Sequence, residues 1–174
     1  MADKIKRETN RGFSVTQTEV TPPISATASE ITLFSQVLDA GRMGVSKILD
    51  YKIVCNLVTP AVVLQTLTIK VKLGTSELIL TSGLSLAANL TTGRPFIIQG
   101  QIANMNNSST QYVYGVVQNY ANNVPLILSA SSALSDADWA VNTSISQTFS
   151  VTATFSALNA AVTIAPKIAV LDLS

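Results

Sequence analysis

The sequence predicts an all-β protein, an antiparallel jelly-roll or β-sandwich with an extended N-terminal arm. From Ile31 onward, hydrophobic and polar residues alternate with a period of two, which is the period of side chains along a strand. Clusters of Gly, Asn, Ser and Pro separate the alternating runs at short intervals, as in sandwiches and barrels. The chain has 174 residues, of which 47% are hydrophobic, so it can form one domain with a substantial core.

The clearest strands form a predicted hairpin over residues 66–81. Its first strand alternates strictly, and Gly74-Thr75-Ser76 supplies turn chemistry before the return strand at 77–80. The side chains expected on its buried face are Leu67, Ile69, Val71 and Leu73. This pattern predicts two adjacent antiparallel strands joined by a tight turn.

Two further strands are predicted near the C-terminus. In residues 145–155 the inward side chains are expected to be Ile145, Phe149, Val151 and Phe155, with the hydroxyls pointing outward. In residues 162–171 they are expected to be Val162, Ile164, Ile168 and Val170. Pro166 falls on that face and has no N–H for a ladder, so it favours a sheet edge or a bulge.

Weaker patterns bring the expected total to eight to ten short strands. The additional candidates are Ile31–Leu38, Lys47–Val58, Phe96–Met105, Gln111–Gln118 and Val124–Leu128. Two short segments have helical patterns, Leu84–Leu90 and Ser132–Trp139.

Residues 1–28 differ in composition from the domain expected at 29–174. The segment begins with charged residues and continues through a Thr/Ser-rich stretch that contains Pro22 and Pro23, which favours an extended backbone. We expect this arm to lie along a neighbouring chain or the body of the domain, with Arg7, Arg11, Pro22 and Pro23 as interface residues. The first residues lack the apolar stretch of a signal peptide, which favours synthesis in a cytoplasm without export.

The distribution of charge indicates that much of the surface is covered in use. Charged residues are 12% of the chain, against about 25% in typical soluble domains. Residues 95–135 and 139–166 contain no Asp, Glu, Lys or Arg. The alternative is a secreted, Ser/Thr-rich domain that stays soluble without charge. Tyr112 and Tyr114 share one face of such a strand, and we interpret them as subunit-interface residues rather than a ligand platform.

The composition argues against most catalytic and cofactor chemistry. The chain has no histidine and one cysteine, Cys55, which excludes Ser-His-Asp and Cys-His arrangements and an intrachain disulfide. Phosphate-binding glycine loops and apolar stretches of transmembrane length are also absent. We therefore expect no enzyme activity, no cofactor, no metal and no membrane partner. A net charge of +1, with Asp3 and Glu8 among the N-terminal basic residues, does not favour nucleic acid as a partner.

Asp136 and Asp138 beside Trp139 form the one close acidic pair in the body. They could belong to a calcium site or, with the indole as a stacking surface, to a sugar platform. Calcium takes six to eight oxygen ligands, and no other acidic cluster is near in sequence. We favour a capped turn that Trp139 anchors to the core, and we include Trp139 among the interface candidates.

Two stretches resemble small jelly-roll structural proteins of tailed bacteriophages. One runs from Leu67 through Gly74 and Leu78–Leu90 to Ile102, and the other comprises Gln147–Phe155 and Ala161–Leu171. The resemblance covers about residues 60–174. It implies a jelly-roll domain, often trimeric, attached to the capsid surface as a decoration (cement) protein or head fibre, or placed in the tail.

The leading hypothesis is therefore a virion structural protein, made in the host cytoplasm, that decorates or stabilises a phage head. Its expected partners are copies of itself, as a homotrimer, and the major capsid protein or another virion protein. One alternative is a receptor- or glycan-binding fibre or tail module that uses Tyr112, Tyr114 or Trp139. Another is the coat protein of a small virus.

Overall fold

The computed structural model places two antiparallel β-sheets face to face around one hydrophobic core. The structure describes residues 5–9, 12–17, 23–60, 65–86, 90–121, 124–127 and 137–174. Within these ranges the regular elements are all strands. The predicted fold class, all-β and antiparallel, is confirmed.

Thirteen strands are present in the described residues. They are β1 (Ile5–Thr9), β2 (Gly12–Gln17), β3 (Ile24–Ala26), β4 (Ile31–Leu38), β5 (Ile48–Val58), β6 (Thr66–Leu73), β7 (Ser76–Ser85), β8 (Arg94–Asn104), β9 (Gln111–Ala121), β10 (Val124–Ile127), β11 (Ala137–Trp139), β12 (Gln147–Phe155) and β13 (Asn159–Leu173). The five weaker candidates correspond to β4, β5, β8, β9 and β10. The two helical patterns are wrong where they can be compared, because Leu84 lies in β7 and Trp139 in β11.

The strand order brings together segments that are far apart in sequence. The large sheet has the order β1-β2-β13-β5-β8-β9-β10, with β3 also pairing β13 and β11 also pairing β9. The small sheet has the order β4-β12-β6-β7. Successive strands such as β4, β5 and β6 alternate between the sheets, as in jelly-roll and Greek-key sandwiches. The hairpin β6–β7 turns at Gly74, whose φ of 58° only glycine adopts readily.

The inward-facing positions of both sheets form the core. The four predicted residues of β6 are fully buried, as are Phe149, Val151 and Phe155 of β12. Phe149 lies near its centre, with ring centroids 5.3 Å from Tyr51 and 6.1 Å from Phe34. Each fully buried large aliphatic or aromatic side chain contributes about 1.5–3 kcal/mol, so this interior accounts for the pairing of the two sheets.

The buried face predicted for β13 is wrong beyond Pro166, because the strand contains a bulge there. Val162 and Ile164 are buried as expected, but Ile168 is 42% exposed, and Ala169 and Leu171 point inward instead. The register of β13 against β5 shifts between Pro166 and Ile168. A one-residue slip exchanges the two faces of a strand, which explains the error. Pro166 lies at the bulge, as expected for a residue without an N–H.

In the strand predicted at residues 145–155, Ile145 and Thr152 do not have the expected burial. Ile145 precedes the strand and is 55% exposed, so its inward placement is wrong. Thr152 is buried although its hydroxyl was expected outside. The alternation of β12 is otherwise kept, because Val151, Ala153 and Phe155 are all buried, so Thr152 is an outward residue that is covered. The irregular pairing with β4 falls at Leu33 of β4, which the register skips.

The segment 1–28 contains strands that pair with the body. β2 pairs with residues 169–173 of β13, and β3 pairs with residues 159–164 of the same strand. β1 completes a hairpin with β2 at the edge of the large sheet. The boundary at residue 28 between an arm and a domain stays a prediction.

A buried polar network ties together the loops at one end of the sandwich. The Asn104 amide donates to the carbonyls of Met43 and Gly44 and to the Thr143 hydroxyl, at 2.6–3.0 Å. The Gln111 amide donates to the Asn104 side-chain oxygen at 3.0 Å. Thr143 in turn donates to the carbonyl of Met43 at 2.8 Å. Thr143 also donates to the Ser108 carbonyl at 3.0 Å, so the network joins the loops at residues 39–47, 105–110 and 140–146. Because these buried polar groups satisfy one another, their hydrogen bonds offset the cost of desolvation.

Candidate functional site

A hollow of about 250 Å³ lies on the outward face of the large sheet, and we call it the outer depression. Four strands contribute to it: β5, β8, β9 and β13. Its lining consists of Asp50, Tyr51, Lys52, Gln99, Gly100, Gln101, Tyr114, Val116, Val170 and Asp172. Tyr51 and Gly100 contribute their backbone, because side chains at these positions point inward.

The sheet register arranges the lining side chains in two rows across the strands. One row is Asp172, Asp50, Gln101 and Tyr114, and the other is Val170, Lys52, Gln99 and Val116. Neighbouring strands are about 4.8 Å apart, so adjacent side chains in each row are in contact range. Residues more than a hundred positions apart in sequence therefore form one continuous surface.

Tyr51 supports this surface from the core side. Its hydroxyl lies beneath Gly100 and Gly115, which face each other across β8 and β9. Its hydroxyl donates a hydrogen bond to the Tyr114 carbonyl at 3.1 Å. Burial, followed by the charge of a neighbouring tyrosine, raises the pKa of Tyr51 above its ordinary value, so the hydroxyl stays a donor. The floor of the outer depression is thereby held from below.

Both signs of charge are present in the outer depression. Asp50 and Asp172 are directly opposite one another on β5 and β13. Lys52 lies two residues beyond Asp50 on the same face of β5. The Gln101 amide donates to an Asp50 carboxylate oxygen at 2.6 Å, and the pair is partly buried. Two carboxylates and one ammonium give a formal charge of −1. The remaining lining side chains are amides, a phenol and two valines.

The structure separates the aromatic interface candidates. Tyr112 and Tyr114 lie on the outward face of β9, with Tyr112 37% exposed. Tyr114 belongs to the outer depression. Trp139 is 5% exposed and lies in the core, so its indole is not a surface for stacking.

The N-terminal interface candidates are only partly described. Arg7 pairs with Ser14 in the β1–β2 hairpin, and Pro23 is exposed. Arg11 and Pro22 lie outside the described residues, as does Asp136 of the acidic pair near Trp139. The interface assignment of all seven candidates stays a prediction.

Sequence reasoning did not identify Asp50, Lys52, Gln101 or Asp172 as site residues. Each is an ordinary outward residue of an alternating strand, and nothing local marks it. Only the pairing of β5 with both β13 and β8 brings them together.

A second distinctive surface is the outward face of β4 and β12, which we call the β4–β12 face. Neither strand contains a charged residue, and the face presents Val37, Thr148, Ser150 and Thr154. The other half of the small sheet differs. There, the Lys70 ammonium lies 2.8 Å from Glu77, and Lys72 lies 3.7 Å from Glu77. Lys72 also lies 2.5 Å from Glu30, the residue directly before β4.

Among the described residues, β4 is also an edge of its sheet, and it is unlike the other edge strands. β3 and β11 have three residues each, and β10 has four residues including a proline. β1 has three charged residues among five, and β7 carries a glutamate and two register irregularities. Charge, proline, shortness and irregularity are the usual features that prevent edge-to-edge pairing. β4 has eight residues without charge or proline, and its ladder is regular over Phe34–Leu38.

Two searches concern other kinds of site. In the described part of the chain, no three His, Cys, Asp or Glu side chains are grouped so that they could hold a metal ion. Among the same residues, no helix is long and apolar enough to cross a membrane.

No protein-family model and no curated protein sequence matches the chain. Solved structures with a similar arrangement include VP2 of infectious bursal disease virus in a subviral particle, at 12% identity and a TM-score of 0.43. This match covers 92% of the chain and 32% of VP2, so the chain spans about a third of the VP2 length. Another is the metal-free form of lectin I-B4 from Griffonia simplicifolia, at 7% identity and a TM-score of 0.35, covering 98% of this chain and 87% of the lectin. Neither likeness is close enough to transfer a function.

Proposed function

We propose that the chain is a non-enzymatic virion structural protein, a decoration (cement) protein of a phage head that packs against copies of itself and against the capsid. The observation that carries this proposal is the uncharged edge of β4 together with the β4–β12 face. The resemblance of residues 60–174 to phage structural proteins supports the same role.

The physical argument rests on the cost of leaving such an edge in water. An unpaired edge strand offers a row of free N–H and C=O groups that another strand can bind. Val37 is 52% exposed at this edge, and its burial in a contact would be favourable. Because Val37 and Thr148 lie at the end of this face away from the Lys72–Glu30 ion pair, contact there requires little desolvation of ions. A neighbouring protein that covers β4 therefore gains backbone hydrogen bonds and apolar burial together.

Sedimentation velocity of the purified chain tests the self-packing. A mass well above the 18.4 kDa of one chain is expected at micromolar concentration, and the homotrimer expected from the resemblance would give about three times that mass. Because the contact is uncharged, the association should change little as salt rises, unlike contacts between ion pairs. A stable monomer at micromolar concentration would contradict the proposal.

A matched pair of variants locates the contact. Val37→Lys places a charge on the β4–β12 face, and Ile79→Lys places the same charge on β7, where the replaced side chain is 45% exposed. Val37→Lys should weaken association at least tenfold, a cost of about 1.4 kcal/mol, whereas Ile79→Lys should not.

Immunogold labelling of phage particles checks the head location, and labelling confined to the tail would exclude a head decoration protein.

A further inference from the structure

We propose that the outer depression binds a neutral saccharide, one ring at a time. This inference goes beyond the structural role and does not depend on it, because the outer depression is on the opposite side of the sandwich from the β4–β12 face. A volume of about 250 Å³ is slightly below the ~300 Å³ at which ordinary small-molecule pockets begin. It suits a single sugar ring better than a larger cofactor.

The outer depression contains charged groups of both signs, which suits a ligand that both donates and accepts hydrogen bonds. An anionic ligand would meet Asp50 and Asp172, and a cationic ligand would meet Lys52 one pleat away. A hydroxylated ligand uses all three, since hydroxyl groups donate to carboxylates and accept from an ammonium. Hydrogen bonds to ionised groups are also the stronger ones.

A sugar ring has polar edges and an apolar C–H face. The remaining lining side chains match the apolar face. Val116 and Val170 occupy the ends of one row, and Tyr114 ends the other. The polar and apolar parts of the outer depression thus lie side by side. An amphipathic neutral ring can satisfy both at once, whereas a simple ion cannot.

The outer depression is built before any ligand arrives. The hydrogen bond from Gln101 holds the Asp50 carboxylate, and the Tyr51 hydroxyl holds the backbone of Tyr114 from below. Groups that are already oriented lose little conformational entropy when a ligand binds. This is the expected design for a weak, reversible contact with a glycan surface.

The test is a titration of the isotope-labelled protein, followed by amide chemical shifts. The probes are glucose, galactose, mannose, N-acetylglucosamine, maltose and lactose. At least one should shift the amides of Gln101 and Tyr114 with a dissociation constant on the order of 1 mM, as expected for a shallow open site. Asp50→Asn should weaken that binding by about tenfold or more, since a charge-assisted hydrogen bond is lost. Asp39→Asn, the same change in an exposed loop, should leave it unchanged.

Three results would overturn the inference. These are the absence of shifts with every probe, shifts confined to other parts of the chain, and equal weakening by the two Asp→Asn variants. Concentration-dependent shifts of the same amides without sugar would assign this face to a second copy of the chain and would also refute it. The titration of the unmodified protein stands even if a variant fails to fold.

Discussion

Adding one methyl group at Gly115 should destabilise the protein strongly, because Tyr51 already fills the space. An alanine Cβ there would lie 2.2 Å from the Tyr51 hydroxyl oxygen and 2.7 Å from a Leu80 methyl group. Real Cβ atoms do not approach other atoms so closely, so the ring must move. The ring is confined in turn by Phe149, 5.3 Å away, and by its hydrogen bond to the Tyr114 carbonyl.

The magnitude follows from this confinement. Overpacking in a close-packed core costs about 1–3 kcal/mol, and loss of the Tyr51 hydrogen bond adds about 1 kcal/mol. We expect Gly115→Ala to lower the free energy of unfolding by about 2–4 kcal/mol. In a domain of this length, that corresponds to a decrease in Tm of roughly 4–16 °C.

A double-mutant cycle with Tyr51→Phe tests the cause. Removal of the hydroxyl abolishes the shorter contact, so Gly115→Ala should cost at least about 1 kcal/mol less in the Phe background. Gly44→Ala is the control, because its new Cβ would meet nothing closer than 3.8 Å, and it should be nearly neutral. Urea denaturation measures all five proteins. Additive effects, or a Gly115→Ala variant as stable as the parent, would refute the role assigned to Tyr51.

Two further predictions concern other parts of the fold. Asn104→Leu removes the amide that links the three loops and takes the acceptor of the buried Gln111 amide away, so urea denaturation should show a loss of about 3 kcal/mol. Exposed Asn107→Ala should cost under about 1 kcal/mol. The pKa of Glu77 is lowered and that of Lys70 raised, in each case chiefly by their mutual hydrogen bond. The Glu77 contribution is lost as pH falls through its folded pKa, and the Lys70 contribution as pH rises through its own. Glu77→Gln should therefore cost under about 1 kcal/mol between pH 4.5 and 10.5 and nothing in acid; an equal cost at low pH would contradict the assignment.

The strands could be predicted from the sequence because each is set by local alternation. Residues 66–73 alternate without interruption, and the structure buries the expected face. The prediction fails at Ile168, where a bulge exchanges the faces of β13. A bulge adds one residue to one strand relative to its partner, so it cannot be located until the partner is known.

The outer depression could not be predicted for a related reason. Asp50, Gln101 and Asp172 are neighbours only because β5 lies between β8 and β13. That order is decided by the whole hydrophobic interior and by no single motif. Tyr114 could be predicted as a surface residue because it shares one face of an uncharged strand with Tyr112, which is a local signal. Its neighbours across the sheet could not be predicted in this way.

Charged residues are placed differently on the outward faces of the two sheets, and this difference connects the two proposals. The large sheet carries its edge charges on β1 and its central charges in the outer depression, so this side remains hydrated and open to a ligand. The small sheet carries ion-paired charges on β6 and β7 and at Glu30 beside β4, and the strands β4 and β12 themselves contain none. An uncharged edge in water promotes association, whereas an ion-paired edge resists it. Attachment through β4 would therefore turn the outer depression away from the capsid, where a saccharide on a cell surface could reach it.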